Sequence, residues 1–289
     1  MKTVKLLVII LAAALIITFA VNIYQYTLNL DLSKQKDEVT TQFEMKNRLA
    51  QVQSQIKGEL QTLDEVLLDA CIQLSSTGLT GTQAREILSN AVANNSLIVN
   101  AATADAHDIL LAVEPSSYAS IEGEDISSQE QNLYMHQTMR AGMSDMIPLV
   151  EGFPGVVMVG PIFDADNQFI GSLSLVIQPR ALIEKYVTPA IADGLYSMWS
   201  MQLNGTLIYD PDPAQQDKNL LTDPIYTDYP EVQAFTHQVA EQHAGYGTYS
   251  YYDKDLSDSS GKIVNKEAYW TTIGLYNTQW RLVIVHALN

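Results

Sequence analysis

Tyr134, His136, Arg140 and Asp145 fall in one short segment, residues 134–145, and their side chains could hold a small ligand. An arginine facing a cleft grips a carboxylate through two parallel N–H···O bonds, a geometry lysine cannot copy. Tyr134 can stack on a ring or offer its hydroxyl, and His136 adds a donor whose charge changes near neutral pH. Each also has an ordinary reading: a solvated helix residue, or for Arg140 a salt bridge to Asp145. Met135, Met139, Met143 and Met146 recur along the same stretch at helical steps. Such a stripe is adaptable core packing first and an apolar ligand wall second. Val157 and Met158, on a strand that follows, are expected to floor the same cavity.

Other chemistries find less support. The chain has five histidines, and His237 with His243 does not match the HExxH zinc spacing. Asp253 to Asp258 begins like a calcium loop but lacks its glycine and closing glutamate, so a solvated acidic hairpin tip is the better reading. Neither a nucleophile elbow nor a phosphate loop is present. No cofactor or metal is expected. The single cysteine, Cys71, rules out an intramolecular disulfide framework and lies in a helical apolar pattern. It reads as a small buried side chain, with a cross-dimer disulfide as the minor alternative. With 33 acidic and 16 basic side chains, a net charge of -17, the surface repels nucleic acid.

The elements that would position these residues follow from periodicity. Residues 1–5 carry Lys2 and Lys5, and residues 6–23 form an apolar run. About 18 residues at 1.5 Å each cover roughly 27 Å, enough for a bilayer core. Bulky residues where a signal peptidase wants small ones favour an uncleaved anchor. The lysines before the run favour a cytoplasmic N-terminus and an external body. A long amphipathic helix is expected over residues 32–75, with Val52, Ile56, Leu60, Leu63, Leu67, Cys71 and Leu74 at three- and four-residue steps. That stripe suits a spine against sheets or a parallel pair in a homodimer. Thr82 is expected to cap a second helix.

Two similar halves follow, residues 76–192 and 193–289. In the first, strands flank the turn Asp105–Asp108, a helix is expected over Gln129–Met146, and two strands flank Phe163–Gln168. In the second, Asn204-Gly205 signals a type I′ hairpin, and three strands close the chain after a helix over Glu231–His243. Its tyrosines and tryptophans, Trp199, Tyr249 and Tyr251 among them, are ordinary sheet packing, with stacking on a sugar or cyclic ligand as the alternative.

Several segments carry a resemblance: Val99-Asn100-Ala101-Ala102-Thr103-Ala104-Asp105, Gly160 to Gly171, Leu203 to Asp212, and Gly245-Tyr246-Gly247-Thr248-Tyr249. In order and spacing they resemble the double Cache (dCache) extracellular sensor domains of chemoreceptors and sensor kinases. The resemblance implies an α+β fold, with two PAS-like antiparallel-sheet modules on a long N-terminal helix, here preceded by one transmembrane helix. It places a ligand in the membrane-distal first module, between sheet and crossing, with Asp164 closing the cavity. Tyr134 and Arg140 echo the Tyr…Arg-x-Trp-Tyr signature of the amino-acid-binding subgroup. The spacing differs and Trp-Tyr is missing, so that specificity is not transferred.

The expected function is therefore a single-pass, membrane-anchored external module that senses a small molecule, with a carboxylate-bearing ligand as the one Arg140 suits. The expected ligand set is Tyr134, His136, Arg140, Met143, Asp145, Met158 and Asp164. With no second span or output domain after the last strand, signalling is expected to rest with a separate partner. The alternatives are a surface hydrolase using Asp108, Asp145 or Asp164, and a purely structural surface protein.

Overall fold

The computed structural model describes residues 2–252 and 262–288, with backbone alone for residues 2–14 and 16. The acidic tip Asp253 to Asp258 lies outside the described residues. Two compact units make up the chain, residues 1–47 and 48–289. One helix, α1 (Lys2–Thr77), carries what periodicity divided into an anchor and a stalk. Among the described residues no helix is long and apolar enough to cross a membrane; most side chains of the run 6–23 lie outside that set.

Within the second unit, α1 presents Leu49, Val52, Ile56, Leu60, Leu63, Leu67, Cys71 and Leu74, all buried. Their spacing puts them on one face of a 3.6-residue helix. Gly78, at φ +86°, stops the helix by donating its N–H to Leu74 O at 2.9 Å, a left-handed cap that glycine adopts without strain. Helix α2 (Gly81–Asn94) follows, with Thr80 rather than Thr82 at its N-cap.

The first sheet is built from β1 (Ile98–Asp105), β2 (Leu110–Glu114), β3 (Gly142–Met143), β4 (Ile147–Pro148), β5 (Pro154–Phe163) and β6 (Phe169–Ile177). Its order is β2-β1-β6-β5-β3, and β4 also pairs with β5. A 3-10 turn (Ser116–Ile121) and helix α3 (Glu130–Thr138) cross one face. After helix α4 (Pro179–Ala190) the second sheet is formed by β7 (Ser197–Gln202), β8 (Leu207–Tyr209), β9 (Gly245–Tyr252), β10 (Ile263–Leu275) and β11 (Thr278–Ala287). Helix α5 (Pro230–Glu241) crosses it. The order β8-β7-β11-β10-β9 repeats that of the first sheet, strand for strand.

The expected helix over Gln129–Met146 is corrected. Helix α3 stops at Thr138 because Met139 turns left-handed at φ 52° and donates its N–H back to Met135 O. The next residues become β3 and β4 by pairing with β5, a partner that local periodicity cannot see. Cys71 is buried as expected, and burial, then the nearby Asp64 charge, pushes its thiol up to about 12.

Polar contacts tie α1 to what surrounds it. Glu59 accepts from Lys185 Nζ at 2.7 Å, from Asn95 Nδ2 at 2.8 Å and from the Tyr186 hydroxyl. Gln53 donates to Thr271 Oγ1 and Thr272 O on β10. In the second module the buried Arg281 donates to Val239 O, Ala240 O and Gln242 O, closing the C-terminal end of α5 onto the sheet.

Two stability experiments follow. Gly171 sits at φ +146°, and a Cβ there would lie 2.1 Å from Ala104 O, whereas Gly123 at φ +93° faces open space. Urea denaturation of the full chain should show Gly171→Ala costing about 3 kcal/mol and Gly123→Ala about 1 kcal/mol. For Glu59, burial raises the carboxyl pKa, but hydrogen bonds from Lys185, Tyr186 and Asn95 outweigh it and hold the group below its ordinary value. Its stabilisation is present above the unfolded value of about 4.3 and lost as pH falls through the folded one. Glu59→Gln should therefore lower the melting temperature at pH 7, and the gap to wild type should shrink below about pH 4.

Candidate functional site

The two faces of the first sheet have different neighbours. On β1, β6 and β5, cross-strand partners share a face, so Asn100, Val176 and Val157 lie together, as do Ala102 and Ser174. This face meets the crossing. The opposite face carries Leu173, Leu175, Met158 and Gly160, and Gly160 lies directly under Leu67 and Cys71 of α1. A Cβ on Gly160 would come within 2.9 Å of Cys71 Sγ.

Between the first sheet and its crossing lies a cavity of about 20 Å³. Asn100, Ala102, Val157, Ser174 and Val176 floor it, and Ile121, Ile126, Gln129, Leu149, Val150 and Glu151 roof it. Asn100 is fully buried and donates Nδ2 to Glu151 Oε1 at 2.7 Å. Its Oδ1 has no partner. A buried acceptor left unsatisfied costs about 1–3 kcal/mol, so the site gains from any donor brought beside it. Gln131 Oε1 and Asn132 Oδ1, buried on α3 nearby in sequence, are unpartnered too.

None of the seven residues singled out from sequence lines this cavity. Tyr134 is half-buried on α3, and its ring occupies the space a side chain on Gly142 would need. His136 pairs with Asp108, Nε2 to Oδ2 at 2.8 Å, and packs edge-on against Phe169. Arg140 is exposed past the end of α3, at a bend, so the expected helix-borne clamp does not form. Met143 and Met158 pair across β3 and β5, on the face away from the crossing. Asp164 holds the β5–β6 turn, its Oδ1 accepting the N–H groups of Asp166 and Gln168. Asp145 lies between β3 and β4.

This β3–β4 segment instead joins the two modules. Asn277 exchanges hydrogen bonds with the Met143 backbone, at 3.2 Å each way, and Thr278 donates to Met143 O. The Met146 N–H donates to Gln202 Oε1 at 2.6 Å. Sequence reading missed Asn100 and Glu151. The available signal was one amide inside an otherwise apolar strand, Val99-Asn100-Ala101-Ala102.

Burial, and then the Glu130 charge, pushes the Asp145 carboxyl above its ordinary value. A raised folded value means the native state holds the proton more tightly. Stability from this group is full below the unfolded value of about 3.9 and is lost as pH rises through the folded one. Asp145→Asn should thus raise the melting temperature at pH 7, with the gain fading towards about pH 4.

Residues 58–179 match the family described as HK/GC/chemotaxis protein-like, sensor domain. Among curated proteins no match is found. An extracellular ligand-binding receptor from Desulfohalobium retbaense superposes with a TM-score of 0.71 at 30% identity. The match covers 84% of this chain but only 40% of that one. The ligand-binding domain of the Pseudomonas fluorescens chemoreceptor CtaA, in complex with L-isoleucine, gives 0.61 at 12% identity, over 88% and 95% of the two chains. The periplasmic sensory domain of the Campylobacter jejuni chemoreceptor Tlp1 gives 0.53 at 14%, over 84% and 92%. Residues 58–179 thus match a sensor-domain family, and the two-sheet body shares its fold with extracellular ligand-binding and periplasmic sensory domains of receptors.

Proposed function

We propose that this chain is a membrane-anchored external module that senses a small molecule in its first, membrane-distal half. The carrying observation is the unpartnered Asn100 Oδ1 beside the Glu151 carboxylate, in a cavity otherwise mostly apolar. Two acceptors so placed suit an ammonium group, and the apolar walls suit an aliphatic side chain. Amino acids combine both, and related domains are named in complex with L-isoleucine and L-serine. The carboxylate clamp expected of Arg140 is not part of this reading.

At about 20 Å³ the cavity has room for about one water. An amino acid enters only if the segment bearing Leu149, Val150 and Glu151 moves outward. Such a movement reaches α1 through β5, whose other face lies under Leu67 and Cys71, so ligand and helix are coupled through one strand. Exposed Leu15, Ile17, Phe19 and Val21 fit an anchor in the run 6–23, with the body outside the cell. Leu68 and Ile72, exposed one turn apart on α1, suit a second copy, and output rests with a separate signalling partner. The hydrolase reading lacks a second titratable group in the cavity to oppose Glu151.

Thermal-shift titration of the full chain in detergent tests this against amino acids, organic acids, amines, purines and sugars. A ligand at 100 times its Kd adds about 2.7 kcal/mol. L-amino acids should raise the melting temperature, Glu151→Gln or Asn100→Ala should remove the shift, and Arg140→Ala should leave it. A shift insensitive to Glu151 and Asn100, or none in any class, would overturn the distal site.

A further inference from the structure

The second module holds a cavity apart from the distal one. It lies between the second sheet, α5 and the loop after β8 and measures about 70 Å³. An apolar cavity of about 150 Å³ takes a benzene ring, so this one takes about three to four non-hydrogen atoms. Rings and aliphatic chains make up much of its wall. Phe235 stacks on Tyr249 with centroids 4.6 Å apart, Trp199 meets Phe235 edge-on, and Leu220 and Val232 line the same space.

The tyrosine hydroxyls around this space are not alike. Tyr226 donates to Gln215 Oε1 at 3.2 Å, and Tyr249 accepts from the Trp199 side chain. Tyr229 and Tyr252 bond each other at 2.9 Å. Tyr251 also lines the cavity and is 5% exposed, yet its buried hydroxyl has no partner among the described residues. A wall that satisfies its other tyrosine hydroxyls and leaves this one open marks where a ligand atom can bond. Burial pushes the Tyr251 hydroxyl above its ordinary value, so it stays protonated and donates.

Asp210, Asp212 and Lys266 border the space as well, but each is engaged within the fold. Asp210 Oδ1 accepts the Asp212 N–H at 2.8 Å, and Asp212 Oδ1 accepts the Ala214 N–H at 3.0 Å. What remains for a ligand is a ring-lined seat and one directed hydrogen bond. That pairing suits an apolar body carrying one oxygen acceptor. Rings and a neutral hydroxyl replace little of an ion's hydration, which favours an uncharged molecule.

We propose that this second-module cavity binds a small uncharged alcohol or carbonyl compound of about three to four non-hydrogen atoms. Its oxygen accepts a hydrogen bond from the Tyr251 hydroxyl, and its carbons lie against Trp199, Phe235 and Leu220. The site shares no residue with the distal cavity.

Fluorine NMR of the full chain in nanodiscs, labelled with fluorotryptophan, tests this with acetone and propan-2-ol. Isopropylammonium and acetate serve as charged analogues of the same size, and xenon as an apolar probe without an acceptor. Both oxygen compounds should shift the Trp199 resonance saturably at millimolar concentration. Trp280, on the opposite face of the sheet, should not move. Tyr251→Phe should weaken both compounds about three- to tenfold and leave xenon unchanged. Without ligand, that variant should melt at or above the wild-type temperature, because it loses an unpartnered hydroxyl. Glu151→Gln, in the distal module, should change neither affinity. Absence of a saturable Trp199 shift, equal or tighter binding of either ion, or undiminished affinity in Tyr251→Phe would each overturn the site. So would a lower melting temperature of ligand-free Tyr251→Phe, or loss of binding in Glu151→Gln. Because each module has its own variant, failure here leaves the distal reading standing, and the reverse.

Discussion

Burial of one apolar stripe on α1 is the constraint on which the second unit depends. Eight positions from Leu49 to Leu74 are removed from water, each full-length aliphatic contributing about 1.5–3 kcal/mol on burial. A sheet with one face covered by its own crossing still has a second face to bury. In the first module that face carries Leu173, Leu175 and Met158 and meets α1 at Gly160. The absence of a side chain there lets helix and strand approach closely enough for Leu67 and Cys71 to fill the gap. Gln53, reaching Thr271 and Thr272, marks where the same helix passes the second sheet.

This arrangement gives the first sheet two jobs. One face holds Asn100 and Ser174 towards the crossing, and the other holds the helix. Only the thickness of a strand separates them, so a ligand that displaces β5 cannot leave α1 untouched. The segment from Gly142 to Pro148 completes the link, because its backbone bonds Asn277 and Thr278 at the β10–β11 turn while pairing with β5. A residue once read as ligand wall, Met143, is a joint between modules.

The two modules share one strand order, yet their crossings differ in chemistry. In the first, small and aliphatic side chains close the space around one amide and one carboxylate. In the second, aromatic rings with limited freedom stand apart and leave a wider cavity beside an unpartnered tyrosine hydroxyl. The topology supplies the same cleft twice, and the side chains decide what each can hold.

Much of the fold was legible because its signals are local. Three- and four-residue steps marked the helical stripe of α1, and Asn204-Gly205 marked the β7–β8 hairpin. Asp105 marked the β1–β2 turn, where its carboxylate accepts the His107 and Ile109 N–H groups. The acidic balance and lone cysteine bounded the function from composition alone. The candidate site was not legible. Methionines at 135, 139 and 143 fit a helical period, but Met139 turns left-handed and β3 exists only through its pairing with β5. Asn100 and Glu151 are fifty-one residues apart in sequence and meet at 2.7 Å. Local propensity and periodicity therefore determined the elements and the class of protein. Only the packing of sheet, crossing and helix decided which polar atoms are buried, which are left without partners, and hence where a ligand can be held.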